Sequence, residues 1–431
     1  MRPLKAILFL LFTIALQPAR ATEPFCFDTT AVAAAPAADV PLAADSASVA
    51  KPKKSLFNRF LAYFNDANKE KKNKRFDFSV IGGPHYSSDT KFGIGLVAAG
   101  LYRSDPADSL SAPSNVSLFG DVSTVGFYML GVRGTHKFPR DTHRLNYTVY
   151  FYSFPCYIWG WGYEMGNADA NKSKMKRWQA QFKADWLIRT ADNLFIGPTV
   201  DFDYVRGTKF DREELLGGER PETLNFGAGV TAIYDTRDNL TAPKRGMYIQ
   251  FMQLMRPKFI GNKFNSYTTD FRIDGYTHLW RGATLAADFR TQLNFGDVEW
   301  SMLAQLGDSY SMRGYYQGRY RDNHKMEAQV ELRQHVWKRN GVVAWVGAGT
   351  IFPKFSKIEW KHILPNMGVG YRWEFKKNVN VRMALMAAFT AGTVVWNSPA
   401  ISVAVIHTSL PVTLTALSSM MIMSRFMASL F

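Results

Sequence analysis

The chain has 431 residues, a formal net charge of +16 and an aromatic content of 14%. Its two cysteines and eight histidines show no metal-ligand spacing, which excludes the common zinc motifs, and the chain has no G-x-S-x-G elbow of a hydrolase. We therefore expect neither an enzyme nor a bound metal or other cofactor, and the excess of basic residues favours anionic partners.

A secretory signal peptide is predicted at residues 1–21. Arg2 and Lys5 form a basic start, an apolar run covers residues 6–16, and small residues precede the expected cleavage after Ala21. The run is shorter than the ~20 apolar residues of a membrane-spanning helix. An uncleaved anchor is the alternative interpretation.

Residues 22–75 are predicted to be a linker. Up to about residue 50 they are rich in Ala, Pro, Asp and Ser, and such a segment has too little to bury to stay ordered. Residues 51–75 are basic, with apolar residues at helical spacing between positions 56 and 64. They form either a short amphipathic helix at the membrane surface or in a barrel mouth, or a disordered basic tether.

From residue 76 onward apolar and polar residues alternate. At 177–189 the even positions are apolar and the odd positions are mostly charged or polar, which is the period of a strand with two unlike faces. The same alternation recurs at 194–204, 270–279, 285–295, 326–333 and 367–375. Short turns alternate with longer polar loops at 207–221 and 296–322.

Strand length and secretion favour a membrane barrel over a soluble β-sandwich. Most of the alternating segments span nine residues or more, which is longer than usual for soluble strands and long enough for a tilted transmembrane strand. We predict an all-β fold, a transmembrane antiparallel β-barrel at residues 76–383 in the bacterial outer membrane. We expect a monomer with outer-membrane lipid and lipopolysaccharide as partners and no nucleic acid; simple solvation of basic loops is the alternative explanation of the charge.

Two motifs lie in order along this region. Their residues are Asp235, Arg237, Asp238, Pro243 and Gly246 in the first and Arg313, Gly314, Tyr315, Glu331 and Arg333 in the second. Together they resemble the bacterial surface antigen family, the barrel superfamily of outer-membrane protein assembly factors and two-partner secretion transporters. The resemblance covers about residues 76–383. It implies a sixteen-stranded barrel whose Arg-Gly-Tyr loop folds back into the lumen.

In the lumen, the resemblance implies that Arg313 pairs with carboxylates of the barrel wall, a role that suits a bidentate guanidinium. Alternation places Glu331 on the inward face, so Glu331 and Arg333 are the candidate wall residues. The alternative is an ordinary exposed loop. For Asp235, Arg237 and Asp238 we favour a structural turn capped by Asp side chains over a charged cluster in the lumen.

The sequence departs from the family pattern in two places. Gly347 stands where family members usually carry an aspartate, so one expected partner of Arg313 is missing. Residues 22–75 are too short for a polypeptide-transport-associated domain, so we expect a barrel-only member.

Residues 384–431 are predicted to be an atypical tail, because Arg425 is their only Lys, Arg, Asp or Glu and Pro399 and Pro411 interrupt the alternation. We infer divergent closing strands or a shifted reading frame, with a helical hairpin at 401–423 as the alternative. Translation of the coding DNA in the other two frames tests the frame-shift hypothesis. It fails if neither frame gives an alternating strand that ends in an aromatic residue.

The function implied by the resemblance is to move or insert polypeptides or lipids at the outer membrane, with unfolded outer-membrane polypeptides as partners. A passive pore or structural surface protein is the first alternative, and an outer-membrane hydrolase is the second. A disulfide between Cys26 and Cys156 is left open by the sequence, although secretion permits it.

Overall fold

The computed structural model describes residues 76–87, 91–103, 113–240, 242–308, 310–376, 379–390, 393–402 and 415–416. The predicted signal peptide, the linker at 22–75, Cys26 and much of the tail lie outside the described residues. The expectations for them therefore stay predictions.

The regular secondary structure of the described residues is almost entirely β-strand. The strands are β1 (Phe76–Ser87), β2 (Lys91–Tyr102), β3 (Ser114–Ser123), β4 (Tyr128–Lys137), β5 (His143–Ile158), β6 (Ser173–Ala191), β7 (Leu194–Thr208), β8 (Glu222–Asp235), β9 (Gly246–Arg256), β10 (Ser266–His278), β11 (Ala283–Gly296), β12 (Ala304–Gln305), β13 (Arg321–Asp322), β14 (His324–Trp337), β15 (Asn340–Phe352), β16 (Leu364–Lys376), β17 (Val379–Thr390), β18 (Thr393–Ser402) and β19 (Thr415–Ala416). One α-helix, α1 (Tyr163–Asn167), and six short 3-10 turns lie in the connections: Pro139–Asp141, Asp169–Asn171, Glu213–Leu216, Lys258–Ile260, Phe355–Lys357 and Trp360–His362.

The sheet is an antiparallel meander in which each long strand pairs with the next one along the chain, from β1 to β11 and from β14 to β18. β11 pairs directly with β14, because β12 and β13 pair only with each other inside the connecting loop. The predicted all-β antiparallel fold is confirmed. Among the described residues no helix is long and apolar enough to cross a bilayer.

The two faces of the strands differ as the alternation predicts. Large apolar side chains on one face are exposed, for example Leu130 at 62% and Val369 at 57%. Charged side chains on the other face are buried, for example Asp274 at 1% and Glu327 at 2%. An exposed apolar face with a buried polar face is the reverse of a soluble fold and is typical of a barrel in lipid with a polar interior.

Aromatic side chains lie near both ends of the exposed face. On β6, Trp178 packs against Tyr128 and Phe151, and Trp186 packs against Phe138 and His143 near the other end of the strand. The two tryptophans are eight residues apart, roughly 26 Å along a strand. That spacing suits aromatic side chains at the two boundaries of a hydrocarbon layer.

The strands continue beyond residue 383, where we predicted that the tail begins. β17 runs to Thr390, and β18 spans Thr393–Ser402, so the described residues contain sixteen strands of ten or more residues. Cα atoms of the two-residue β19 come within 8 Å of β1, but the described pairings include no ladder between them. The full strand number of the barrel therefore stays a prediction.

Candidate functional site

The loop between β11 and β14, residues 297–323, lies against strands from distant parts of the sheet. Its polar contacts reach β5, β8, β11, β14 and β16, through the pairs Tyr316–Tyr157, Ser301–Thr223, Asp308–Arg290, Arg313–Glu331 and Tyr315–Pro365. One segment can touch strands so far apart in sheet order only if the sheet curls around it. This segment, which we call the lumen loop, therefore lies on the polar interior face.

Arg313 anchors the lumen loop to the wall. Its guanidinium lies 2.7 Å from a carboxylate oxygen of Glu331 on β14 and 3.8 Å from the centre of the Trp345 ring on β15. The Arg313 and Glu331 side chains are 6% and 7% exposed. Because few waters reach the pair, its attraction is screened much less than that of a surface ion pair.

Glu331 is shared among three arginines. Its second carboxylate oxygen accepts a hydrogen bond from Arg333 Nε at 2.7 Å and lies 4.0 Å from Arg372 on β16. Of the two wall residues predicted from the sequence, Glu331 contacts the motif directly. Arg333 instead braces Glu331 from its own strand, and stacks over Tyr276 with 5.4 Å to the ring centre.

Two amides take the place of the aspartate that is missing at Gly347. Gln329 and Asn366 flank Gly347 in register on β14 and β16. Gln329 Nε2 donates to the Tyr310 carbonyl at 2.6 Å and Asn366 Nδ2 to the Arg313 carbonyl at 3.2 Å. The wall therefore holds the backbone of the loop beside Arg313.

Gly347 leaves the space that these contacts need. A Cβ at this position would lie 2.5 Å from Asn366 Oδ1 and 2.8 Å from the Ala328 carbonyl oxygen. Both distances are too short for a real side chain, and the second involves backbone, so the departure from the family pattern fits the local packing.

The rest of the motif shapes the tip of the lumen loop. Gly314 has φ +104°, a conformation that side chains disfavour. Tyr315 is buried with Leu306, Met312 and Tyr320, and its hydroxyl donates to the Pro365 carbonyl at 2.7 Å. The tip is therefore fixed by packing as well as by charge.

A second set of polar contacts holds the loop on the N-terminal side of Arg313. Ser311 Oγ donates to Glu327 at 2.6 Å, and Glu327 is paired with Lys325 on the same strand. Asp308 accepts from the backbone N–H of Ser311 at 2.6 Å and lies 3.7 Å from Arg290 on β11. The charges of β11 and β14 thus meet complementary groups on the loop.

An apolar cluster covers the start of the lumen loop. Trp300 is fully buried with Ile158 and Leu216, and its indole N–H donates to the Arg220 carbonyl at 3.0 Å. These residues lie where β5, the β7–β8 loop and the lumen loop meet. The loops therefore pack over the interior at this end, and we call this packed region around Trp300 the cover.

Two carboxylates lie beside this cluster, Glu299 buried and Glu219 partly buried. Burial raises the pKa of Glu299, which accepts a hydrogen bond from Asn225 at 2.8 Å. Burial also raises the pKa of Glu219, although the backbone N–H of Trp300 donates to this carboxylate at 3.2 Å.

The first motif forms the turn between β8 and β9. Arg237 donates to the Asp235 carboxylate from Nε and from Nη2, each at 2.8 Å. Asp238 accepts a hydrogen bond from the backbone N–H of Lys244 at 2.9 Å. Gly246 has φ +95°, and a Cβ there would lie 2.2 Å from the Thr236 carbonyl oxygen. Asp238 thus caps the turn, whereas Arg237 and Asp235 form a buried ion pair beside it.

Sequence reasoning missed several residues that hold the lumen loop. Trp345 and Gln329 could have been found, because alternation puts them on the same face as Glu331 and Gly347. Asn366 and Trp300 carry no such signal, since their roles depend on contacts between segments distant along the chain. No group of side chains suited to a metal ion occurs among the described residues.

Comparison with known proteins identifies relatives of this architecture. The sequence profile of the Omp85 superfamily domain matches residues 133–402. None of the curated protein sequences is significantly similar to the chain.

Among solved structures, BamA from Haemophilus ducreyi lacking POTRA domains 1–3 is similar at 12% identity and a TM-score of 0.50, over 76% of this chain and 70% of that one. CdiB from Escherichia coli and CdiB from Acinetobacter baumannii are each 10% identical, with TM-scores of 0.48 and 0.45. The matches cover 77% and 74% of this chain and span 62% and 57% of those two chains.

Proposed function

This chain belongs to the Omp85 superfamily of outer-membrane barrels, and on that premise we propose that it inserts polypeptides into the outer membrane or moves them across it. The proposal assigns no reaction to the protein and makes unfolded outer-membrane polypeptides its clients. The lumen loop, held by Arg313, is the part of the chain that the proposed function depends on.

The anchoring of the lumen loop is the observation that carries the proposal. The loop joins β14 to the distant strand β5, through the buried ion pair of Arg313 with Glu331 at 2.7 Å and a hydrogen bond from the Tyr157 N–H to the Tyr316 hydroxyl at 3.2 Å. Such a brace keeps the barrel in shape while the two edges of the sheet separate. Separated edges would offer unpaired N–H and C=O groups as a template for an incoming strand.

The packed loops argue against a passive pore as the main function. Trp300, Leu306 and Tyr320 are fully buried, so the interior at this end is filled by side chains rather than water. A passive pore would need the lumen loop to leave this position. A structural surface protein would not need the charged contacts of the loop with β11 and β14.

Assembly of a client in liposomes tests the proposal. The full chain is reconstituted, a urea-unfolded outer-membrane barrel is diluted into the suspension, and the folded client is followed by its gel migration without heating. We expect the protein to accelerate client folding relative to empty liposomes. We expect Arg313→Ala to reduce this gain in the folding rate of the client about tenfold, as the loss of a charge-assisted contact would.

Arg189→Ala is the matched control, because Arg189 is 40% exposed and, among the described residues, its ion pair is with Asp192 beside a short turn. This variant should accelerate the client as the unchanged protein does. Client folding no faster than in empty liposomes, combined with steady ion conductance in planar bilayers, would reject the proposal in favour of a pore.

A further inference from the structure

A cavity of about 230 Å³ with several charged lining residues lies in the lumen, apart from the Arg313 anchor. Residues of β4, β5, β6, β8, β9, β10, β11 and β14 line it. Its charged lining residues are Arg133, Lys183, Arg272, Arg290, Lys325, Asp185 and Asp270. Cations therefore outnumber carboxylates on its surface.

Three of these cations already have carboxylate partners. Arg272 pairs with Asp274 at 2.6 Å and Arg290 pairs with Asp288 at 2.7 Å, each on its own strand. Lys325 is paired with Glu327 in the same way. Arg133 and Lys183 remain, and none of the described ion pairs includes either of them.

Arg133 is 6% exposed, and its guanidinium lies over the Phe119 ring, with 5.8 Å to the ring centre; Tyr150 and Tyr310 are also close enough to interact with its charge. Its Nε is buried without a hydrogen-bond partner. A guanidinium held away from bulk water with no anion beside it is unfavourable, because burial removes hydration that nothing replaces.

Lys183 contacts a poor acceptor. Its ammonium lies 2.8 Å from Met252 Sδ, and a thioether accepts hydrogen bonds only weakly. Asp201 is its neighbour in register on β7, but that carboxylate is taken by Arg256 at 2.7 Å.

Arg133 and Lys183 belong to one row across the sheet. Thr148 on β5 pairs in register with Arg133 on one side and with Lys183 on the other. The two cations are therefore two strands apart, roughly 10 Å between Cα atoms. Both are long enough to reach one group placed over the Thr148 hydroxyl, which also lines the cavity.

We propose that this cavity binds a small oxyanion, the carboxylate or phosphate group of a solute, between Arg133, Thr148 and Lys183. The guanidinium offers a planar pair of donors, and the ammonium and hydroxyl complete the coordination. Asp270 on β10 also lines the cavity and interacts with the Lys183 charge, so it opposes an incoming anion by repulsion and by competition for Lys183. The proposal does not depend on the proposed function.

The cavity adjoins the lumen loop through Arg290, which lines the cavity and also lies 3.7 Å from Asp308 of the loop. An anion that attracts Arg290 competes with Asp308. Occupancy of the cavity therefore weakens one of the contacts that hold the loop.

Calorimetric titration of the full chain in detergent tests this site. Inorganic phosphate and acetate are titrated separately at constant ionic strength, with chloride as the background anion. We expect one saturable site for at least one of the two. Saturation by phosphate alone indicates a phosphate ester as the natural ligand, and saturation by acetate alone indicates a carboxylate.

Variants assign the binding to the named residues. Arg133→Gln and Lys183→Gln should each weaken it about tenfold or more, the effect of one charge-assisted hydrogen bond. Asp270→Asn should tighten it, and Arg189→Gln, outside the cavity, should leave it unchanged. Gel migration without heating identifies the variants that fold. If only one of Arg133→Gln and Lys183→Gln folds, that variant alone tests the site.

The proposal is overturned if neither anion saturates the protein at concentrations about tenfold above a millimolar dissociation constant. It is also overturned if a folded Arg133→Gln or Lys183→Gln protein binds the anion as tightly as the unchanged chain.

Discussion

Glu331 is the residue on which the loop anchor depends most, because it is the carboxylate that Arg313, Arg333 and Arg372 share. Removal of Arg313 leaves Glu331 with two cations. Removal of the Glu331 charge leaves three guanidinium groups close together with no counter-charge from this position. The two changes therefore differ in consequence although they break the same ion pair.

We predict that Glu331→Gln destabilises the folded barrel more than Arg313→Gln does. Loss of one partner from a buried pair costs about 3–5 kcal/mol when the other charge stays unpaired. The cost falls to about 1–2 kcal/mol when only a hydrogen bond is lost. The urea midpoint of each variant, followed by gel migration without heating, measures the difference. Equal midpoints would mean that Arg333 and Arg372 do not depend on Glu331.

At the scale of single elements, the lumen loop is held at two places of different character. Near Arg313 the contacts are ion pairs and amide hydrogen bonds, whereas around Trp300 they are apolar. The apolar contacts join the loop to β5 and to the β7–β8 loop. The cover over the interior therefore depends on the apolar contacts, and the position of the loop tip depends on the polar ones.

We predict that Trp300→Ala opens the cover. Truncation of a fully buried tryptophan costs about 3–5 kcal/mol, and here the loss falls on the contact between the cover and the lumen loop. We expect higher conductance in planar bilayers and faster tryptic cleavage within residues 209–221. Trp360→Ala is the matched control, because Trp360 is 89% exposed. If both variants conduct like the unchanged protein, the cover does not depend on Trp300.

At the scale of the whole molecule, the outward side chains are mostly apolar, and many of the inward side chains are charged and paired. Several of these pairs join positions i and i+2 of one strand, as in Arg272–Asp274, Arg290–Asp288 and Arg333–Glu331. Because alternate residues share a face, each such strand carries its own counter-charges into the lumen. Because the two charges of each pair lie on the same strand, these pairs do not depend on the register between neighbouring strands.

We expect the membrane-extracted protein to migrate faster on a gel when it is not heated, since a closed barrel resists unfolding by detergent. Circular dichroism should show mostly β-structure. A chain that migrates alike with and without heating, or that stays soluble without detergent, would contradict the barrel.

The sequence by itself indicated the faces of the strands and the outer-membrane location, and it predicted a contact between Arg313 and Glu331. Alternation is local, so it can be read from neighbouring residues, and the motif residues could be recognised by their resemblance to a family. The strand count and the nature of the tail beyond Ser402 stay predictions.

Only the tertiary structure decided which residues surround Arg313. Gln329, Trp345 and Asn366 come from three strands, and the Trp300 cluster joins two loops and β5. That none of the described ion pairs includes Lys183 likewise depends on Asp201 being taken by Arg256. Each of these contacts depends on which side chains come together across a curled sheet. The alternation of the sequence shows which face of a strand a side chain lies on, but not which distant side chain it contacts.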